Sequence, residues 1–380
     1  MEISVLTPDV SHNCLGRAYL LAKVLQRRYD VQIVGPAFQG KVWEPLAAQD
    51  DVETRIVPAH PAFYDAVSLI RALGENVTGD VIYASKPLLT SYGLALVQRL
   101  SEARPVVLDI DDWQMGFQSA ALSNLTLLGK LRRFARSVFY LSSPASYWNS
   151  LLGEWLVTQA DEITVSSSFL RARFGGTIVP HGRDTSVFNP REFDRETLRQ
   201  EADISKDRRV VAFIGTPLPY KGVEDLIDAI KLLQDRRILL LLAGLNSGPY
   251  SSRLREIVGQ ELGDEQAALF GPQPFADLPK FLAMTDVVVL PQRSSPATLG
   301  QVPAKVFDAM AMAKPIVATR VSDLPQILLD CGWIVEPEAP RQLAEAIEHV
   351  FRNPAEAREM GCRARERCAK DYSWDAMEEI

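Results

Sequence analysis

The chain has 380 residues, 47% of them hydrophobic and 23% charged, a balance that excludes a disordered, collagen-like or low-complexity protein. At about 150 residues per domain, that length predicts two or three domains. The formal net charge of −7, from 41 basic and 48 acidic residues, argues against a nucleic-acid partner, whose binders are ordinarily basic.

Short apolar runs alternate with amphipathic segments along the chain. Strands are expected at 2–7, 31–35, 52–57, 81–85, 106–110, 162–166 and 177–180, with helices near 16–28, 62–74, 89–102, 121–141 and 144–158. A polar, charged stretch over 182–208 interrupts the series. It resumes with strands at 210–215, 238–243, 267–270, 287–290, 315–318 and 333–335, and helices near 222–235, 251–262, 277–284, 303–312, 340–352 and 354–370. Runs such as 238–243 (ILLLLA) carry no polar alternation, which marks a strand covered on both faces. Strand–helix repetition of this kind predicts an α/β protein with parallel, doubly wound sheets. Because the pattern restarts once, two Rossmann-like domains are expected, 1–190 and 191–365, facing each other across a central cleft. A terminal helix at about 366–380 would pack back on the first domain. Ligands of such sheets bind at the carboxyl ends of the strands.

The four cysteines, Cys14, Cys331, Cys362 and Cys368, fit neither a disulfide framework nor a zinc site, and the four histidines show no metal-ligand spacing. Reduced thiols in a cytoplasmic protein without a metal are the simplest account. The first residues enter a strand with no apolar leader, and the longest aliphatic run is far short of the roughly 20 residues that span a bilayer.

Two loops of the second half carry chemistry. In Gly215-Thr216-Pro217-Leu218-Pro219-Tyr220-Lys221-Gly222, Gly215 lets the chain turn at a strand end, and Lys221 sets an ammonium beside a helix start, a position suited to a diphosphate. The plainer alternative is a surface lysine in an ordinary loop. The other loop is Thr298-Leu299-Gly300-Gln301-Val302-Pro303-Ala304-Lys305. Pro303 fits the first helical position, so the amides of Gly300, Gln301 and Val302 would be left open to an anion. Asp308 falls one turn after Lys305; it would accept hydrogen bonds from a ribose diol or pair with Lys305 at the surface.

The blocks FIGTPLPYKGVEDLIDAI, LLLLAG, FGPQPFADLPKFLAMTDVVVLPQ, VPAKVFDAMAMAKPIVATRVSDLPQIL, GWIVEP and ARERCAKDYSW, in this order, resemble the donor-binding domain of the GT-B glycosyltransferases, specifically the large retaining family 4. The first half resembles it more loosely, through ADEITVSSSFLRARF and VPHGRDTSVFNP. The resemblance implies that Lys221 binds the donor diphosphate and Asp308 the ribose. It implies that the backbone of Thr298, Leu299, Gly300, Gln301 and Val302 cradles the phosphates. Gly215, Thr216 and Gly244 would complete the nucleotide site, with Gly271, Pro272 and Gln273 lining the base and Lys305 offering a second cation. There are two departures. Gly300 stands where the family places the first of two glutamates eight apart, with Asp308 at the second, and Thr216 stands where it places a basic residue.

In the first half, the loop after strand 2–7 offers His12, Asn13, Gly16 and Arg17 as cleft groups, although a lone loop histidine is more often structural. The strand end Leu108-Asp109-Ile110-Asp111-Asp112 gathers three carboxylates, costly unless they meet cations, hydroxyls or solvent. Asp111 and Asp112 are read as contacts to an acceptor hydroxyl, with helix capping as the alternative.

By resemblance, then, the chain would move a sugar from a nucleotide-diphosphate sugar to a carbohydrate, lipid-linked or natural-product acceptor, with retention of configuration and no metal or other cofactor. Lys221, Lys305, Asp111 and Asp112 form the expected catalytic set. A sugar-nucleotide 2-epimerase and a non-catalytic nucleotide-sugar-binding subunit are the alternatives. Finally, Gln114 to Gly153 contains no Asp or Glu, while Lys130, Arg132, Arg133 and Arg136 interrupt an apolar run. This leaves two readings open for 121–141, a peripheral membrane contact at the inner membrane face or a partly buried core helix.

Overall fold

The computed structural model of the protein describes residues 1–62, 65–123 and 125–380. All thirteen expected strands are present within two residues of the expected bounds. The first sheet contains β1 (Glu2–Leu6), β2 (Asp30–Ala37), β3 (Glu53–Pro58), β4 (Val81–Ser85), β5 (Val106–Ile110), β6 (Glu162–Val165) and β7 (Thr177–Ile178). Its order is β3-β2-β1-β4-β5-β6-β7, and every pair is parallel. The second sheet contains β8 (Arg209–Ile214), β9 (Ile238–Ala243), β10 (Ala267–Phe270), β11 (Val287–Leu290), β12 (Ile316–Thr319) and β13 (Trp333–Val335). It is also wholly parallel, in the order β10-β9-β8-β11-β12-β13. All six residues of β9 are buried, as its unbroken apolar run requires, whereas the edge strand β3 has no fully buried residue.

In both sheets the order reverses direction beside the first strand of its series, β1 or β8. Neighbouring crossovers diverge there, and the strand ends open to a ligand. The chain packs as two units, 1–181 with 295–302 and 182–294 with 303–380. The break thus falls at 181/182 where 190/191 is expected, and 366–380 packs with the second unit. The polar stretch 182–208 is no loose linker. It holds the helix Arg195–Glu201, capped by the Asp194 side chain, and buries Arg199 against the Met284 carbonyl and Asp286.

Several helices differ from expectation: that near 16–28 is Cys14–Leu25, and 89–102 opens with a π-helical turn, Leu89–Gly93, before Leu94–Glu102. The span 121–141 takes in the end of one helix, Gln114–Ser123, and the whole of a second, Leu127–Phe139, and Asn124 lies outside the described residues. The second starts where Thr126 turns extended and its hydroxyl accepts the Gly129 amide, a local capping signal that outweighs the continuous apolar run. The segment expected from 144 begins at Tyr147, capped by Ser146. The helix expected near 62–74 is Ala66–Gly74; residues 63 and 64 lie outside the described residues.

Candidate functional site

In the second unit, the carboxyl ends of β8 and β9 are pressed together. The Gly215 amide donates to the Ala243 carbonyl at 2.8 Å. Gly244 has φ +113, and a Cβ on it would stand 2.5 Å from the Gly215 carbonyl oxygen, so only glycine fits. Gly215 itself, at φ +141, leaves its Cβ side open to the aliphatic chain of Lys305, whose Cε passes 3.5 Å from that point. Lys221 ends a short 3-10 turn (Pro219–Lys221) and returns to the same place, Nζ donating to the Thr216 carbonyl at 2.9 Å. Gly222, at φ +66, then turns the chain into the helix Val223–Leu233. Arg293, just beyond β11, steadies this loop; its amide donates to the Tyr220 carbonyl at 2.8 Å, and its guanidinium forks onto Asp225 at 2.8 and 2.6 Å. Two lysines therefore converge on the Gly215–Thr216 turn. Gly271, Pro272 and Gln273 follow β10, where Gln273 Nε2 donates to the Gly271 carbonyl at 3.1 Å.

Asp308 sits below this point, on the helix Lys305–Ala311, and is 2% exposed. Arg183 Nε donates to its Oδ1, and Lys305 Nζ stands 3.1 Å from its Oδ2. Burial pushes the carboxyl up, but Arg183 and Lys305 hold it below the ordinary aspartate range, so it stays ionised. Arg183 lies against the rings of Phe188 and Phe275, at 5.9 and 5.6 Å, and its backbone pairs with Tyr372 and Trp374 of the terminal segment. For the ribose role expected of Asp308, the structure offers a buried carboxylate whose Oδ1 accepts from Arg183 and whose Oδ2 has the Lys305 ammonium as its ion-pair neighbour and makes no hydrogen bond. The helix also starts at Lys305, two residues after Pro303, and not as an open tip beside Gly300.

Residues 295–302 pack with the first unit. Ser295 and Thr298 bond each other through backbone and hydroxyl, and the Gln301 amide donates to the Thr298 carbonyl, so that amide is engaged in a turn. The Gly300 carbonyl accepts from Ser167 Oγ at 3.0 Å, and Gln301 Nε2 donates to Asp112 Oδ1 at 3.0 Å. A Cβ on Gly300 would lie 3.0 Å from Leu170 Cδ2 and 3.2 Å from Trp113 Cβ. A side chain at this position fits only if Leu170 and Trp113 give way by a few tenths of an ångström. Leu299 is exposed and Val302 buried.

At the strand ends of the first sheet, the carboxylates of Asp109, Asp111 and Asp112 meet cations, as their crowding demands. Arg17 is buried and forks onto Asp109 at 2.9 and 2.7 Å, while its other donors reach the carbonyls of Val179 and Pro180. It is a structural strut between the first helix and β5, not an open cleft group. Lys86, which the sequence reading passes over, is buried at φ +68 after β4 and donates to Asp111 and, at 2.6 Å, to Asp112. Burial opposes its charge, yet the two carboxylates hold it firmly protonated; burial, with Asp112 and Asp109 adding, pushes Asp111 up to about 6. His12 and Asn13 are exposed at the start of the helix Cys14–Leu25, where Gly16 packs against Trp43. Among the described residues there is no group of three His, Cys, Asp or Glu side chains placed to hold a metal.

Residues 194–367 match the family described as glycosyl transferases group 1. That match takes in most of the second unit and stops short of half the chain. The chain's solved relatives by fold include sucrose-phosphate synthase of Thermosynechococcus elongatus (17% identity, TM-score 0.76, 100% of this chain and 96% of that one). Another is Anabaena HepE in complex with UDP and glucose (17%, TM-score 0.74, 100% and 97%). At these identities the likeness establishes the GT-B fold. By sequence, the chain is 28% identical over 275 residues to the GDP-mannose-dependent alpha-(1-6)-phosphatidylinositol monomannoside mannosyltransferase of Mycolicibacterium smegmatis, covering 67% of this chain and 72% of that one. It is 30% identical over 209 residues to alpha-maltose-1-phosphate synthase of the same organism, covering 52% and 53%. The chain thus spans about half the length of this last relative. Lys86 and Arg183 are the site residues the sequence did not single out. The only signal for Lys86 was a cation directly after an apolar strand.

Proposed function

We propose that this protein is a group 1 glycosyl transferase that moves a sugar from a nucleotide-diphosphate sugar to an acceptor hydroxyl with retention of configuration. The observation that carries the reading is the convergence of Lys221 and Lys305 on the Gly215–Thr216 turn at the end of β8. As the glycosidic bond breaks, negative charge builds on the departing diphosphate, and two fixed ammonium groups stabilise that charge more than the ground state. Asp308 acts on Lys305 and Arg183 and not on the ribose; it fixes the second cation in place. In the first unit, the Lys86–Asp111–Asp112 cluster supplies charged oxygen acceptors at a strand end for the acceptor hydroxyl. No metal enters this scheme. A carbohydrate or lipid-linked acceptor has the names of relatives behind it, the phosphatidylinositol-mannoside transferase among them; a natural-product acceptor has none.

A thermal-shift panel of UDP-, GDP-, ADP- and dTDP-sugars tests the reading. One nucleotide class should raise the melting temperature of the wild type and fail to do so in Lys221→Ala. A panel without any shift would overturn it. The crowding at Gly300 favours a second reading, binding of a sugar nucleotide without transfer; donor turnover with a stabilising nucleotide separates the two.

A further inference from the structure

The helix Leu127–Phe139 turns its apolar side outward. Leu127, Leu128, Leu131, Ala135, Val138 and Phe139 are all exposed, Leu127 at 75% and Phe139 at 69%. At about 100° per residue these six positions fill one arc about 120° wide. Arg132 and Arg136, also exposed, continue one edge of that arc, and Lys130 lies beyond the other. The neighbouring helix Tyr147–Leu156 adds a second stripe, with Trp148, Leu151, Leu152 and Trp155 exposed at i, i+3, i+4 and i+7, and Trp155 at 76%. The two helices are locked together. Phe134 packs on Tyr147 at 4.7 Å between ring centres, and Trp148 Nε1 donates to the Phe134 carbonyl at 3.0 Å. This is a fixed apolar face of unusual extent for a protein surface.

We infer that this helical hairpin docks on an anionic lipid surface. Charge complementarity chooses the occupant. Four cations and no carboxylate lie between Gln114 and Gly153, so two copies of the face would repel each other, whereas phosphate headgroups would attract it. The arrangement of apolar arc, basic border and flanking tryptophans is that of a helix lying in the bilayer interface. With 13 and 10 residues, the helices lie on a membrane and do not cross it; among the described residues no helix is long and apolar enough to span one. Docking requires neither donor nor acceptor, so it stands or falls apart from the transfer reading.

The test is co-sedimentation of the full chain with vesicles of phosphatidylcholine alone or with about 30% phosphatidylglycerol, in about 0.1 M salt. The wild type should bind the anionic vesicles about tenfold or more tightly than the neutral ones, with a blue shift of tryptophan emission. Arg132→Glu/Arg136→Glu should remove that preference. Leu127→Ser/Leu131→Ser should weaken binding about tenfold while leaving the melting temperature unchanged, because both side chains are already in water. Absent or equal binding to the two vesicles, or variants that bind like the wild type, overturns the inference. So does a concentration-dependent dimer that the leucine substitutions abolish without any vesicle binding.

Discussion

The pairing of Asp308 with Arg183 and Lys305 makes a prediction about stability that a surface carboxylate would not. Asp308→Asn keeps the shape and removes the charge. Arg183, whose side chain is 6% exposed, then loses its anion while remaining buried against two aromatic rings. Removing one partner of a buried pair costs about 3–5 kcal/mol, and the asparagine oxygen, still able to accept from Nε, keeps the loss near about 3 kcal/mol. Lys305 adds little, because at 29% exposure it turns to solvent and its pair is worth about 1 kcal/mol or less. For a unit of this size, that corresponds to a fall of about 6–12 °C in melting temperature. Scanning calorimetry at pH 7 measures it, the affected transition being that of the second unit. A companion variant, Arg183→Met/Asp308→Leu, replaces the pair by apolar groups and should recover most of the loss. An Asp308→Asn protein within about 0.5 kcal/mol of wild type, or a double variant no better than the single, would refute the reasoning.

Burial, with Arg195 adding, pulls the Lys314 ammonium down to about 8, although it donates to the carbonyls of Ala283 and Thr285. The unfolded chain, with the ordinary value of 10.5, therefore binds more protons between these limits. Wild-type stability should rise with pH by about 3 kcal/mol from pH 8 to 10.5 relative to Lys314→Met, measured by urea titration across that range; parallel curves would exclude it. Gly244→Ala forces a side chain against the Gly215 carbonyl at positive φ, and chemical denaturation should show a loss of about 3 kcal/mol or more. Gly300→Glu, which restores the family residue by name, should lower stability by about 2 kcal/mol and leave turnover no faster, because Leu170 and Trp113 occupy the space. A stable, faster Gly300→Glu enzyme would show that the position has room after all.

The strands were legible because burial on both faces writes an unbroken apolar run, as in β9, and the lysines at their ends were legible because a cation beside a glycine turn is a local pattern. The carboxylate cluster after β5 likewise announced that it needed cations. It could not say which, since Arg17 and Asp109 stand 92 residues apart and Lys86 and Asp111 stand 25 apart. They meet only because β5 and β4 are neighbours and the first helix packs over the sheet. The second partner of Asp308 was hidden for the same reason, although its pairing with Lys305 was readable from their spacing. Its partner Arg183 comes from the far side of the interrupted series, held by the terminal Tyr372–Trp374 segment, and no local spacing records that meeting. The break at Thr126 was hidden by leucines on either side of it, a case where one capping hydroxyl outweighs a hydrophobic pattern.

In the proposed transferase, Lys221 and Lys305 jointly grip a diphosphate. Titration calorimetry of the nucleoside diphosphate whose sugar stabilises the wild type tests it directly, with Lys221→Ala and Lys305→Ala measured beside it. Each substitution should weaken binding about tenfold or more, with a shallower dependence on salt. Unchanged affinity in both variants would contradict it.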